Sequence, residues 1–182
     1  NKGKFREISY LLPKKYKKIS PISLKVRSPK ETGKSFVSNS KLKVNFFSKY
    51  VDYPVISDDS GLCIKALKNE PGIYSARLAK KKGGFYNAMK FILKKLKNKK
   101  NRKATFVCSL SYKNNSGKII SVIGKLSGNI STKILGKKGF GYDPIFIPLN
   151  EKITFGQMRK KKKIKMDHRF IAFKKLKKNI KI

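Results

Sequence analysis

Apolar residues recur along this chain with two different periods, and the changes of period mark its elements. Phe5, Ile8, Leu11 and Leu12 fall three or four apart and stop at Pro13, which predicts a first helix. Ile19 to Val26 predicts a strand, placed at a sheet edge because Pro21 interrupts it. Ser35 is suited to cap a second helix, in which Phe36, Ser40, Lys43/Val44, Phe47 and Tyr50 repeat at helical spacing. Val55-Ile56 predicts a short buried strand, and Leu62 to Leu67 alternates as a half-buried one. Phe85, Ala88, Met89, Ile92, Leu93 and Leu96 form one apolar stripe of a third helix. Ala104 to Tyr112 and Lys118 to Leu126 predict two strands joined by the turn-rich loop Lys113-Asn114-Asn115-Ser116-Gly117. A glycine-rich loop, Ile145-Phe146-Ile147 and a last helix bearing Phe170, Phe173 and Leu176 complete the chain. Helices mixed with strands, one hairpin among them, imply an α/β fold with a mixed sheet. The lysine run 160–163 reads as a tail only until apolar periodicity resumes after it.

Composition narrows the class. A chain of 182 residues fits one domain, or one domain with two lobes, and is long enough to bury a core. No stretch reaches the about 18 to 20 apolar residues a membrane helix needs. Cys63 and Cys108 lie in apolar strand-like segments without CxxC spacing, as buried thiols of a reducing cytosol do. The net charge of +38 suggests nucleic acid. The excess is lysine, however, with arginine only at positions 6, 27, 77, 102, 159 and 169. Arginine is the residue that reads bases and forks onto phosphates. Non-specific, salt-sensitive binding to polyanions is therefore expected, and specific nucleic-acid recognition is not. The same field draws in nucleoside triphosphates.

Only nine residues are acidic, yet Asp58 and Asp59 stand side by side in Ser57-Asp58-Asp59-Ser60-Gly61-Leu62, at the expected end of a strand. Adjacent like charges repel, so a hard divalent cation or a water to be deprotonated accounts for them better than stability does. The plain alternative is a solvated Asp-Asp turn. A single histidine excludes a multi-histidine zinc site, and oxygen ligands favour Mg²⁺.

Further segments share this character: Asn1-Lys2-Gly3-Lys4, Glu31-Thr32-Gly33-Lys34-Ser35-Phe36, Pro71-Gly72-Ile73-Tyr74-Ser75-Ala76-Arg77, Gly139-Phe140-Gly141-Tyr142-Asp143-Pro144 and Asp167-His168-Arg169. In this order they resemble the inosine triphosphatase, or Ham1-like, family, whose members hydrolyse purine nucleoside triphosphates with non-standard bases. The resemblance runs from Asn1 to about Leu176. It implies a single inosine-triphosphatase-like domain over 1–182, with an elongated mixed sheet, flanking helices and two lobes around a central cleft. It also implies ITP, dITP and XTP as substrates, Mg²⁺ as cofactor, a homodimer and a cytoplasmic location. The family's opening motif follows a first strand, so one strand is expected upstream of Asn1.

Carried over by the resemblance, Asp59 is the catalytic acid that helps hold Mg²⁺ and activates water. Asp58 is its electrostatic neighbour, and Ser60 meets the substrate. Glu31 is the only carboxylate left where relatives have a thicker acidic segment. It is the candidate second metal ligand, with an ordinary loop acid as the alternative. Asn1, Gly3 and Lys4 match a phosphate-contacting turn, in which glycine lets amide N–H groups face an anion. A plain helix start is the alternative. Lys163 matches the lysine upstream of the His-Arg pair, and Lys160 to Lys162 are expected in solvent. Base recognition falls to Phe140, Gly141, Tyr142 and Asp143 with His168 and Arg169, where an aromatic face meets the purine and polar groups read its edge. Asp167 stands where the family has Ser, and Gln157 where it has Glu. Asp167 is placed to hold His168 as a cation.

Overall fold

The computed structural model describes residues 1–180. The first helix, α1 (Lys2–Leu11), is capped by the Asn1 side chain, which accepts from the amides of Gly3 and Lys4. It ends at Leu12, whose extended backbone suits a residue before proline. Helix α2 (Phe36–Phe47) opens with a capping box in which Ser35 and Ser38 satisfy each other's amides. The remaining elements are β1 (Val55–Ile64), α3 (Ser75–Lys81), α4 (Phe85–Lys95), β2 (Lys103–Lys113), β3 (Ile119–Ile130), β4 (Phe146–Pro148), α5 (Lys160–Ile164) and α6 (His168–Lys177). The sheet has four strands in the order β1-β2-β3-β4. β4 runs antiparallel to β3, with Asn129 opposite Ile147.

Two sequence expectations are corrected. The segment Ile19 to Val26 is a series of turns and not a strand. Pro21 offers no N–H, the Ser23 hydroxyl bonds to the Ser20 carbonyl at 2.7 Å, and Lys25 is left-handed at φ 55°. The local bonds of serine outcompete a ladder here. Likewise, Val55-Ile56 and the stretch from Leu62 are one continuous strand, so Asp58 and Asp59 lie inside β1 and not at a strand end. Both are buried, which removes the solvated-turn alternative. The strand stops at Ile64, and Lys65–Leu67 forms a 3-10 turn closed by left-handed Lys68.

The chain forms two compact units, one of residues 1–59, 108–124 and 169 onward, the other of 60–107 and 125–168. The first packs Cys108 and Leu110 of β2 against Ala172, Phe173 and Leu176 of α6, with Ile8, Leu11 and Ile56 around them. Near α2 the interior is polar. The Ser40 hydroxyl lies 2.9 Å from that of Ser109 and 2.7 Å from that of Ser111, and Ser111 reaches Ser121 at 2.8 Å. The second unit has the larger core, built from Leu62, Ile64, Ile92, Leu96, Phe106, Phe146, Phe155 and Met158. The stripe on α4 faces this core through Ala88, Met89 and Ile92, as its spacing predicts.

Candidate active site

In the first unit, strand periodicity sends the two aspartates to opposite faces of β1. Asp58 receives the Lys4 ammonium at 2.5 Å, the Arg169 Nε at 3.0 Å and the Cys108 thiol at 3.0 Å. Arg169 also donates from Nη1 to Glu7 at 2.7 Å. Asp59 receives the Lys43 ammonium at 3.0 Å and the Asn39 side-chain amide at 3.3 Å. The same ammonium donates to Glu31 at 2.8 Å. Asn39 is held in turn, because its Oδ1 accepts from the Gly33 amide at 2.8 Å.

Burial and these partners together drive the proton affinities of the two carboxyls apart. Burial would raise Asp58, but the charges of Lys4 and Arg169 outweigh it and hold the carboxyl far below the usual range. Asp59 moves the other way. Burial pushes it up and the Glu31 charge adds to the rise, against the pull of Lys43 and Lys4. Burial works against the Lys43 ammonium, yet Asp59 and Glu31 together raise it above its ordinary value. Burial and the Asp58 charge push the Cys108 thiol well up, so it remains an S–H donor and not a thiolate.

The second unit holds another set. Asp143 accepts the Lys163 ammonium at 2.6 Å and the Phe140 amide at 2.8 Å. The ammonium lies 4.8 Å from the centre of the Phe140 ring and 5.4 Å from that of Phe155. His168 stacks on Phe106 at 4.7 Å with planes 10° apart, and Phe106 adjoins Phe146 at 4.5 Å. The loop depends on glycine at two positions, Gly139 and Gly141, both left-handed. A Cβ at Gly139 would collide with the Asp143 carboxylate. Ser60 is half-buried in β1.

Several predicted residues take different places from those expected. Tyr142 is buried in the core, edge-on to Phe85 at 5.2 Å, and its hydroxyl donates to the Ser75 carbonyl at 2.9 Å. Its ring and hydroxyl support the loop from within. Gly3 is helical and takes no left-handed backbone. It sits in the first turn of α1, where its amide and that of Lys4 are capped by Asn1 Oδ1 at 3.0 and 3.1 Å. Arg169 belongs with Asp58 and Glu7, and Lys163 with Asp143 and the aromatic rings. Asp167 is buried beside His168 in sequence. Lys160, Lys161 and Lys162 are exposed, as expected, although Lys162 pairs with Glu151.

The sequence reading missed Lys43, Asn39 and Glu7. Lys43 carried a signal, for it shares the apolar face of α2 with Val44 and Phe47, a place no solvated lysine takes. Glu7 adjoins the stripe of α1 and is one of only nine acids.

No cluster of three or more His, Cys, Asp or Glu able to hold a metal occurs among the described residues. Asp59 and Glu31 nevertheless fit Mg²⁺. They are two hard oxygen donors already set about one cation, the Lys43 ammonium, and Mg²⁺ takes one or two carboxylates while keeping several waters.

The Ham1 family model matches residues 1–179. A dITP/XTP pyrophosphatase of Dictyoglomus thermophilum is 41% identical, over 97% of this chain and 89% of its own. One from Borrelia duttonii is 45% identical over 82% of this chain and 78% of its own. Among solved structures, the Ham1 protein of Staphylococcus aureus superposes with a TM-score of 0.86 at 35% identity, covering 98% of this chain and 93% of that one. The HAM1 protein of Coxiella burnetii gives 0.87 at 31% identity, with the same coverage.

Proposed function

The chain belongs to the Ham1 family, and on that premise we propose that it hydrolyses dITP, ITP and XTP to the monophosphate and pyrophosphate, clearing non-standard purines from the nucleotide pool. The observation that carries this reading is the placement of Glu31 and Asp59 on one cation, with Asp59 the aspartate whose carboxyl is raised.

Water adds across the anhydride between the α and β phosphates, and Asp59 accepts the proton that the water gives up. A base is most effective when its affinity for the proton lies near the working pH, and burial moves Asp59 in that direction. Asn39 fixes the orientation of the carboxylate. Asp59 and Glu31 would hold Mg²⁺, which when bound would supply charge neutralisation at the phosphates. Lys43 and Lys4 supply further positive charge. The start of α1 is an anion site whose Gly3 and Lys4 amides a phosphate oxygen takes over from Asn1.

Base choice falls to the second unit. Phe140 offers a ring face, with Gly141 keeping the loop clear beside it. Asp143 accepts from the N–H edge of a 6-oxopurine, and Lys163 donates to its oxygen. Adenine presents the opposite pattern at both positions, and an unmatched buried group costs about 1–3 kcal/mol. His168 completes the aromatic set. Arg169 acts through Asp58. Ser60, beside the acids in sequence, contacts substrate. The enzyme works in the cytoplasm, where two unpaired cysteines persist, as a homodimer. No helix among the described residues is long and apolar enough to cross a membrane.

Incubation with dITP, XTP, ITP, dATP and dGTP in Mg²⁺, with phosphate and pyrophosphate assayed separately, tests the proposal. Pyrophosphate from the first three and little from dATP is expected. Phosphate as the first product, or equal cleavage of dATP, overturns it.

A further inference from the structure

The segment Pro71 to Arg77 has no part in the chemistry above, yet its side chains build a distinct surface on the second unit. Ser75 turns inward, donating to the Gly72 carbonyl at 2.7 Å and accepting from the Leu62 amide at 2.9 Å. Tyr74 turns outward and remains 53% exposed. With Leu67 and Leu78 it lines a groove of about 270 Å³ floored by Phe91 and Ile92 of α4.

Cations surround the aromatic rings of this groove. The Arg77 guanidinium lies 4.9 Å from the centre of the Tyr74 ring, and the ammoniums of Lys82 and Lys95 lie 4.0 and 5.0 Å from that of Phe91. Lys81, one turn beyond Arg77 on α3, also lines the groove. The lone acid among the lining residues is Glu70, 4.0 Å from Lys95.

We propose that this groove docks single-stranded nucleic acid, one base lying against Tyr74 while Arg77, Lys81 and Lys95 hold the flanking phosphates. Aromatic faces interleaved with basic side chains are what an unpaired strand needs, because every base has a face to stack and every linkage a charge to neutralise. A duplex keeps its bases stacked inside and has none to offer.

The test is fluorescence anisotropy with a labelled single-stranded oligonucleotide, an abasic strand of equal length, a duplex and inorganic polyphosphate, across a salt series. Tyr74→Ala is expected to weaken the oligonucleotide about fivefold or more and to leave the abasic strand, duplex and polyphosphate unchanged. Lys81→Ala should instead weaken all four and lower the salt slope by about 0.7 for the single strand. Turnover of dITP by both variants is the check on folding, and Tyr74→Leu, which keeps an apolar side chain, repeats the measurement if Tyr74→Ala loses it. Equal binding of the oligonucleotide and the abasic strand by the unmodified protein overturns the proposal, since net charge then explains everything. So does sedimentation in which Tyr74→Ala dissociates a dimer, because a second copy then fills the groove.

Discussion

Asp58 and Asp59 are joined by one peptide bond, yet Arg169 and Lys4 hold the first carboxyl down while burial lifts the second. Repulsion between neighbours is small because a strand points them to opposite faces, where each meets its own cation. One strand thus carries two acids in succession, the first held down by its cations and the second raised by burial.

The division is testable by two isosteric changes. Asp59→Asn should lower turnover of dITP by about a hundredfold or more, as loss of a general base does, with the fold intact by circular dichroism. Asp58→Asn should destabilise by about 3–5 kcal/mol in urea unfolding, the usual consequence of breaking a buried ion pair. If Asp58→Asn spares stability and abolishes turnover, the two roles are exchanged.

Acid should expose the same asymmetry. Asp58 has a folded-state affinity for protons far below that of the unfolded chain. Its stabilisation is therefore complete above the unfolded value of about 3.9 and is lost as pH falls toward the folded one. Below about pH 3.9 the unfolded state binds a proton that the folded state refuses, and stability declines by up to about 1.4 kcal/mol per pH unit. Asp59, raised in the folded state, contributes with the opposite sign. Denaturant unfolding at a series of acidic pH values should give a shallower decline for Asp58→Asn than for the unmodified protein. Parallel curves would remove Asp58 from the account.

Lys43→Met leaves Glu31 and Asp59 facing each other without their shared cation. Glu31 is partly exposed, so the stability cost in EDTA should be less than the about 3–5 kcal/mol of a fully buried pair. Excess Mg²⁺ should then raise the thermal midpoint of the variant more than that of the parent, by binding the folded state alone. Equal Mg²⁺ responses would mean that the ammonium and the metal do not share a place.

On the base side, Asp143→Asn and Lys163→Met should each reduce the preference for dITP over dATP in kcat/KM by about tenfold, since each leaves a buried partner unmatched. Lys4→Ala should raise KM for every nucleotide alike, the mark of uniform binding. A selective effect of Lys4→Ala would place the base near α1.

Sequence revealed the elements whose causes are local. The stripe of α4 and the Ser35 cap of α2 were legible because their signals lie within a few residues. Continuity of β1 was not. Two charges inside a strand make sense only with Arg169, 111 positions from Asp58, and with Lys43 in place. The Ile19 to Val26 segment misled although its cause is local too, since the apolar pattern hid the serine bonds that outcompete a ladder. The candidate site residues were read from motifs, whereas pairings such as Lys163 with Asp143 are announced by no spacing.

The buried hydroxyls joining Ser40 to Ser109 and Ser111 act as a key cut for one lock. Apolar contacts tolerate a helix that rolls or slides by a fraction of a turn, whereas hydroxyl pairs have direction and fail together. α2 carries both Asn39 and Lys43, so its roll decides where these groups stand against Asp59. Refilling the three serines with well-fitted apolar side chains could therefore leave the protein no less stable, and yet blur the aim of its base. At this spot sturdiness and the aim of Asn39 and Lys43 at Asp59 are separate properties, set by different atoms of the same helix.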